Sequence, residues 1–493
     1  MKRLAIAAAF VAACATGFAQ YESIEALVEK SANEPALQFA QWGVYAEYAK
    51  TGEPIVEYNE HFALAPASGL KTLTSAAALH YLGSEFRYTT RLYYEGEIGE
   101  DGTLQGDLHI VGEGDPTLGT AEAKVNNVPV EGAATLAEIG DEWVGAVKRA
   151  GIKRVAGAAV ADDLAFDRIP IPLDWSWIDL GNYYGACQSA LSIHDNLYFL
   201  YLKPGENVGD PTEVLRVEPP VPGLEFENHI TTGPKGSGDN GYIYRAPGQY
   251  TATLRGTIPA GVEEFAIKGS LPEPALSAAR YLERRLNEAG VAIAEPARLI
   301  DEPIDRDPAT MLHEHESPPL KDVAAIVNKR SNNHYTEQLL KTIAWSVSGK
   351  GTTDNGVALL VDFLEENGVN ADGLRLSDGC GLSRFDAITP TIMARALSSH
   401  VNRPYFDDFY NSLSVAGDPN DVGYFKTFGV GTIIEKNARI KSGLIGNVRS
   451  HSGYVWDQNG ALISFSFIAN NHSSYRDVNQ IHKELIIALA KLK

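Results

Sequence analysis

Pro66-Ala67-Ser68-Gly69-Leu70-Lys71, followed by Thr72-Leu73-Thr74-Ser75-Ala76-Ala77-Ala78-Leu79, is the stretch around which this chain is organised. An Ala/Leu/Thr run of this kind predicts a helix, and Pro66 stands just before its first turn, where a missing N–H costs nothing. Three positions apart on that helix, Ser68 and Lys71 share a face and their side chains can touch. A serine hydroxyl of ordinary pKa is a poor nucleophile without a base in hydrogen-bond reach. Lysine can be that base when burial and neighbouring cations empty its lone pair near neutral pH. The helix N-terminus adds free backbone N–H groups for a developing oxyanion. One turn can thus supply nucleophile, base and part of an oxyanion hole. Ser-x-x-Lys alone is equally the pattern of a capped surface helix, so the rest of the chain decides.

The chain has 493 residues, enough for two or three domains with cores of their own. Its 44% hydrophobic and 21% charged residues are those of a soluble globular protein. A formal net charge of -21 argues against nucleic acid and anionic membrane surfaces as partners, and for a neutral, zwitterionic or cationic ligand. Lys2 and Arg3 precede an apolar run over 4–13, and the small residues Gly17 and Ala19 prepare a cut before Gln20. This reads as an export signal over 1–19, too short to remain as a bilayer anchor. Val11-Ala12-Ala13-Cys14 also resembles a lipoprotein cleavage box, but a good ordinary site follows it. The mature chain then keeps Cys187 and Cys380, which make neither a disulfide framework nor a zinc spacing.

Along the chain, helical spacing over 24–37 is followed by a hairpin, 42–48 and 54–58 around a Gly52 turn, and then by the Ser68 helix. From about 87 the texture changes to short alternating strands with frequent Gly and Pro, among them 106–112, 154–161, 242–245 and 249–258. Helices are expected there at 135–149 and 275–289. From about 311 an α/β texture returns, with helices at 320–329, 337–346, 357–367 and 389–398. Residues 461–470 read as a buried strand and 478–492 as a closing helix packed on it rather than a membrane-surface anchor. There is no internal repeat and no low-complexity tract.

Three further short motifs lie in the returning α/β part. Ser331-Asn332-Asn333 falls between two expected helices, Lys441-Ser442-Gly443 ends a strand-like run, and Asp378-Gly379-Cys380-Gly381-Leu382-Ser383-Arg384 is a Gly-rich loop. Ser-x-x-Lys, then Ser-x-Asn, then Lys-Ser/Thr-Gly, with an exported address, resembles the penicillin-binding protein and serine β-lactamase superfamily. Within it, Ala65-Pro66-Ala67-Ser68, Val111-Gly112-x-Gly114-Asp115-Pro116-Thr117-Leu118, Asn182-Tyr183-Tyr184-Gly185-Ala186 and Asn328-Lys329-x-Ser331-x-Asn333 narrow the match. Together with the loop over 378–384, they resemble the D-alanyl-D-alanine carboxypeptidase/endopeptidases of the penicillin-binding protein 4 type.

The resemblance implies an α/β (α+β) transpeptidase/β-lactamase-like domain, an antiparallel sheet with flanking helices, interrupted by a long mostly-β insert. Its catalytic domain would comprise 20–88 and 306–493, and the insert, 89–305, two nested smaller modules. Ser68 would attack the carbonyl between two D-alanines and form an acyl-enzyme, with Lys71 as base. Ser331 would relay the proton to the leaving amine, Lys441 would keep Lys71 partly neutral, and Asn333 would hold Lys71 and the substrate amide. Backbone N–H groups of Ser68 and Leu444, with Gly443 beside them, would form the oxyanion hole. Ser442 and Arg384 would hold the substrate carboxylate. No metal or organic cofactor is required. The substrates would be peptidoglycan stem peptides ending in D-Ala or cross-linked through it, the inhibitors β-lactams, and the location the periplasm or cell envelope.

The chain departs from the family's usual pattern in two places. Cys380 stands where the loop usually has Ser, and Leu444 where a hydroxyl residue is common, so side-chain recognition of the carboxylate rests on Ser442 and Arg384. His313-Glu314-His315-Glu316 alternates as a strand does, putting both histidines on one face. With no third ligand nearby in sequence, a solvated face is expected there and no metal site. Two rival readings use the same scaffold: a peptidoglycan-binding protein that has lost turnover, and a β-lactamase or esterase.

Overall fold

The computed structural model describes residues 24–120, 123–125, 128–304 and 309–493. The expected export signal over 1–19, with Cys14, lies outside them. Two compact units are formed, one from residues 24–84, Ala324–Ser331 and Val357–Lys493, the other from Glu85–Val323 and Asn332–Gly356.

The first unit is built on a six-stranded sheet in the order Pro54–Tyr58, Gln41–Tyr48, Leu462–Asn470, Val448–Trp456, Arg439–Ile445, Ser414–Val415. Every neighbouring pair is antiparallel. The expected hairpin supplies two strands, while the central strand, Leu462–Asn470, is buried along its whole length. The closing helix, Tyr475–Ala490, starts on Ser474, whose hydroxyl accepts the Asp477 N–H. It buries Val478, Ile481, Leu485, Ile486 and Leu489, and its stripe joins Val44, Phe465 and Phe467 in one core. At about 1.5–3 kcal/mol gross for each large apolar side chain taken out of water, this stripe holds the helix to the sheet. The Lys71–Leu82 helix and the Pro390–Ser399 helix belong to the same unit.

In the second unit a five-stranded sheet runs in the order Arg298–Leu299, Ala159–Asp162, Leu108–Gly112, Thr89–Tyr94, Thr310–Glu316. The first three strands are parallel and the last two antiparallel to their neighbours. The helices Leu136–Arg149 and Pro274–Glu288 share its core through Ile139, Trp143, Val147, Ala278 and Leu282. The first of them begins with a capping box, Thr135 and Glu138 satisfying each other's backbone N–H groups. Further small sheets surround Leu197–Lys203 and Thr251–Pro259. The chain is thus an α/β fold with an additional β-rich part.

The expected solvated face around His313 and His315 is corrected here. His315 is buried, and Glu142, 171 residues before His313 on the Leu136–Arg149 helix, lies against both imidazoles. A carboxylate brought in by tertiary packing leaves no trace in local spacing.

Candidate active site

Ser68 does not lie on the α-helix. It sits in a 3-10 turn, Ala67–Leu70, and the α-helix begins at Lys71. The pairing survives this correction because residues three apart eclipse in a 3-10 turn. The turn is strained: Ala67 has φ 46°, a left-handed conformation that costs a residue with a Cβ about 1–3 kcal/mol. Neighbouring backbone and side chains hold it in place. Ser450 Oγ donates to the Pro66 carbonyl at 2.6 Å, and the Gly69 N–H closes on the same oxygen at 3.2 Å. Gly381 approaches so closely that a Cβ there would lie 1.9 Å from the Ala67 carbonyl oxygen.

The Lys71 side chain is wholly buried, and its Nζ lies 2.9 Å from Ser68 Oγ and 2.6 Å from the Cys380 carbonyl oxygen. The loop that presents this carbonyl is held from both ends. Asp378 accepts the N–H groups of Gly381 at 2.6 Å and Ser383 at 2.7 Å, and Thr74 donates to the Gly379 carbonyl at 2.6 Å. The Cys380 side chain is buried towards Asp378. Its main chain makes the contact with Lys71, so Cys in place of Ser leaves that contact intact.

Ser331 follows the Leu320–Arg330 helix in a left-handed conformation, φ 57°. The helix end is anchored by two neighbours whose work the sequence reading missed. Asn328 donates to Ser75 Oγ at 3.0 Å and Ser412 Oγ at 2.8 Å, and Lys329 pairs with buried Asp421 at 2.6 Å. Both stand in the motif quoted above, but nothing in local sequence points to Ser75, Ser412 or Asp421. Lys441 Nζ donates to Ser331 Oγ and to the Ser442 carbonyl, each at 2.9 Å. Burial, and then the charges of Lys71 and Arg449, hold Lys441 well below the ordinary lysine pKa.

Lys441 and Gly443 project to one face of the Arg439–Ile445 strand, Ser442 and Leu444 to the other. Gly443 pairs with Ser450, and a Cβ on it would lie 2.4 Å from the Pro66 carbonyl oxygen. Glycine here is what lets strand and Ser68 turn meet. Leu444 is half exposed, and Arg384 stands exposed at the end of its loop.

Ser442 faces His451 across the strands. Behind it a row of hydrogen bonds lies between two groups that can only donate, the Trp42 indole and the Arg449 guanidinium. Trp42 donates to His482 Nε2 at 3.1 Å, and the Nδ1 atoms of His482 and His451 share a hydrogen bond at 2.9 Å. His451 Nε2 lies in hydrogen-bond reach of the Tyr424 hydroxyl and of Arg449 Nη2, which donates at 3.3 Å. Burial and the charge of Arg449 push His451 well down and His482 to about 3, so both rings are neutral. Tyr424, pushed up to about 12 by burial, also hydrogen-bonds with Ser442 and Arg449.

Asn333 belongs to the second unit. It opens the helix Asn333–Ser348, four residues before the expected start, because Asn332 caps the helix by accepting the Tyr335 N–H at 3.1 Å. Its side-chain amide donates to the Tyr184 carbonyl at 2.8 Å, within the Asn-Tyr-Tyr-Gly stretch.

Ser68, Lys71, Ser331, Lys441, Ser442 and Gly443 thus converge in one unit. A family model described as the D-Ala-D-Ala carboxypeptidase 3 (S13) family matches residues 24–492. The chain is 32% identical over 461 residues to a D-alanyl-D-alanine carboxypeptidase of Actinomadura sp. (strain R39), covering 92% of this chain and 81% of that protein. It is 23% identical over 443 residues to the D-alanyl-D-alanine carboxypeptidase DacB of Haemophilus influenzae, covering 88% and 86%. The crystal structure of penicillin binding protein 4 (dacB) from Haemophilus influenzae superposes with a TM-score of 0.80 at 22% identity, over 95% of this chain and 99% of that one. The same relative has been solved complexed with a novel beta-lactam. Among the described residues no helix is long and apolar enough to cross a membrane. The chain belongs to the D-Ala-D-Ala carboxypeptidase 3 (S13) family: it is a serine-type D-Ala-D-Ala carboxypeptidase with the fold of penicillin-binding protein 4.

Proposed function

We propose that Ser68 is the acylated nucleophile of this carboxypeptidase and Lys71 its general base. The observation that carries the reading is one buried amine, Lys71 Nζ, 2.9 Å from Ser68 Oγ and fixed from behind by the Cys380 carbonyl at 2.6 Å. Neutral Lys71 keeps an N–H on that carbonyl and turns its lone pair to the Ser68 proton. Ser68 Oγ then bonds to the carbonyl carbon between two D-alanines as its proton passes to Lys71. The backbone N–H groups of Ser68 and Leu444 receive the oxyanion. Collapse breaks the C–N bond, Ser331 passes the proton from Lys71 to the leaving D-alanine amine, and an ester remains on Ser68. Water, activated by Lys71, releases the shortened peptide.

Lys441 has two effects in this scheme. By donating to Ser331 Oγ it turns the Ser331 proton away from itself and towards the relay. Its charge also raises the cost of protonating Lys71, the reciprocal of the effect Lys71 has on it. Ser442, hydrogen-bonded to Tyr424, donates to the terminal carboxylate, and Arg384 is that carboxylate's second partner.

The substrates are peptidoglycan stem peptides that end in D-Ala or are cross-linked through it, so carboxypeptidase and endopeptidase cuts share one acyl-enzyme. Penicillin acylates the same Ser68, as the beta-lactam complex of the Haemophilus relative suggests. The residues 1–19 and the nature of the substrate put the reaction in the periplasm or cell envelope. The test is release of D-alanine from a stem pentapeptide, and cleavage of a cross-linked dimer, by the mature chain and by Ser68→Ala. Loss of both activities in the variant is expected. Undiminished release by Ser68→Ala would sink the assignment.

A further inference from the structure

The cluster of Glu142, His313 and His315 in the second unit takes no part in the reaction above. His313 and His315 alternate along Thr310–Glu316, the edge strand of the five-stranded sheet, and so project to one face, while Glu314 pairs with Arg91 on the other. Glu142 comes from the Leu136–Arg149 helix, fixed in place by its neighbour Trp143 in the core. Glu142 Oε2 lies 3.1 Å from His313 Nε2 and 3.3 Å from His315 Nδ1, and the three donor atoms all fall within 4.8 Å of one another. Tetrahedral zinc with bonds of about 2.0–2.1 Å spaces its ligand atoms about 3.3 Å apart. The observed separations between the carboxylate and each imidazole are of that size.

We propose that Glu142, His313 and His315 bind one divalent cation of the zinc type, clamping the helix Leu136–Arg149 to the edge strand Thr310–Glu316. Two imidazole nitrogens and one carboxylate oxygen are a borderline donor set, suited to zinc over magnesium or calcium, and they leave a fourth position for water. His315 is only 9% exposed at its side chain, and its other nitrogen, Nε2, is buried without a hydrogen-bond partner among the described residues.

The test uses the untagged mature chain, stripped with a chelator and titrated with Zn²⁺ by calorimetry and with Co²⁺ by visible absorption. The expected result is one ion per chain, Co²⁺ bands of a four-coordinate site, and a higher unfolding midpoint with Zn²⁺. Glu142→Gln preserves shape and hydrogen bonding but removes the anionic ligand. It should weaken Zn²⁺ binding by at least about tenfold and abolish the midpoint shift, with an unchanged circular dichroism spectrum. The double variant His313→Asn/His315→Asn should bind no ion at this site. Binding of equal affinity in wild type and Glu142→Gln, or no binding by the wild type, would overturn the proposal.

Discussion

Two lysines of the first unit are buried to a similar degree, Lys329 at 8% exposure and Lys441 at 2%, and they have different partners. Lys329 meets the carboxylate of Asp421 at 2.6 Å, and that carboxylate also receives the N–H groups of Val415 and Val422. Lys441 meets a hydroxyl and a carbonyl, near a second amine that it repels. A full negative charge compensates the buried Lys329 ammonium, whereas burial beside a like charge depresses the pKa of Lys441. The first arrangement suits an anchor. The second suits a group that orients Ser331 and acts on Lys71 by charge. The two lysines stand at opposite ends of one short path, since Lys329 fixes the helix end that places Ser331 and Lys441 bonds to Ser331 itself.

The largest effect expected from breaking this contrast is on rate. Lys71→Ala should slow acylation by penicillin about 10²–10⁴-fold, as loss of a general base does, while leaving the chain folded. Stopped-flow labelling measures it, and a rate near wild type would remove Lys71 from the mechanism. Next comes Asp421→Asn, which strands the Lys329 charge and should cost about 3–5 kcal/mol in urea unfolding. A change below about 1 kcal/mol would mean that the pair is no anchor.

Lys441→Met should act in the opposite direction on stability. The folded pKa of Lys441 is depressed, so between it and the ordinary lysine value of about 10.4 the unfolded chain holds more protons and wild-type stability rises with pH. The variant, free of this penalty, should be the more stable protein at pH 7, with the gap closing as pH approaches about 10. A gap that is constant with pH would contradict the depressed pKa.

Tyr424→Phe removes the hydroxyl that hydrogen-bonds with His451 and Ser442, at about 1–3 kcal/mol, and should raise KM more than it lowers kcat because Ser442 binds the substrate end. A fall in kcat alone would disconnect Tyr424 from substrate binding. Smallest of all is Cys380→Ser, expected to change stability by less than about 1 kcal/mol and acylation little, because the main-chain carbonyl touches Lys71. A large loss of rate would show that the thiol itself matters.

Much of the site was legible because its parts are short and local. Ser68 and Lys71 are one turn apart, and a 3-10 turn and an α-helix bring that spacing together alike, so the wrong helix type did no harm. The stripe from Val478 to Leu489 has a single period and found its sheet as expected. What was not legible came from distant segments. The Lys329–Asp421 pair spans 92 residues and the Glu142–His313 contact 171, and neither leaves a periodic signal. The left-handed Ala67 was equally hidden, since alanine does not advertise positive φ and the atoms that hold it, from Ser450 and Gly381, lie hundreds of residues away. The row from Trp42 through His482 to His451 needed atomic positions, because only the fold brings these distant residues together.

The central claim, a nucleophile at Ser68 activated by a buried lysine, is tested most directly by incubating the folded mature chain with penicillin and locating the adduct by intact mass and peptide mapping. The account predicts one adduct per chain, on the peptide that holds Ser68, and none in Ser68→Ala. A folded protein that takes no label, or takes it on another residue, would contradict it.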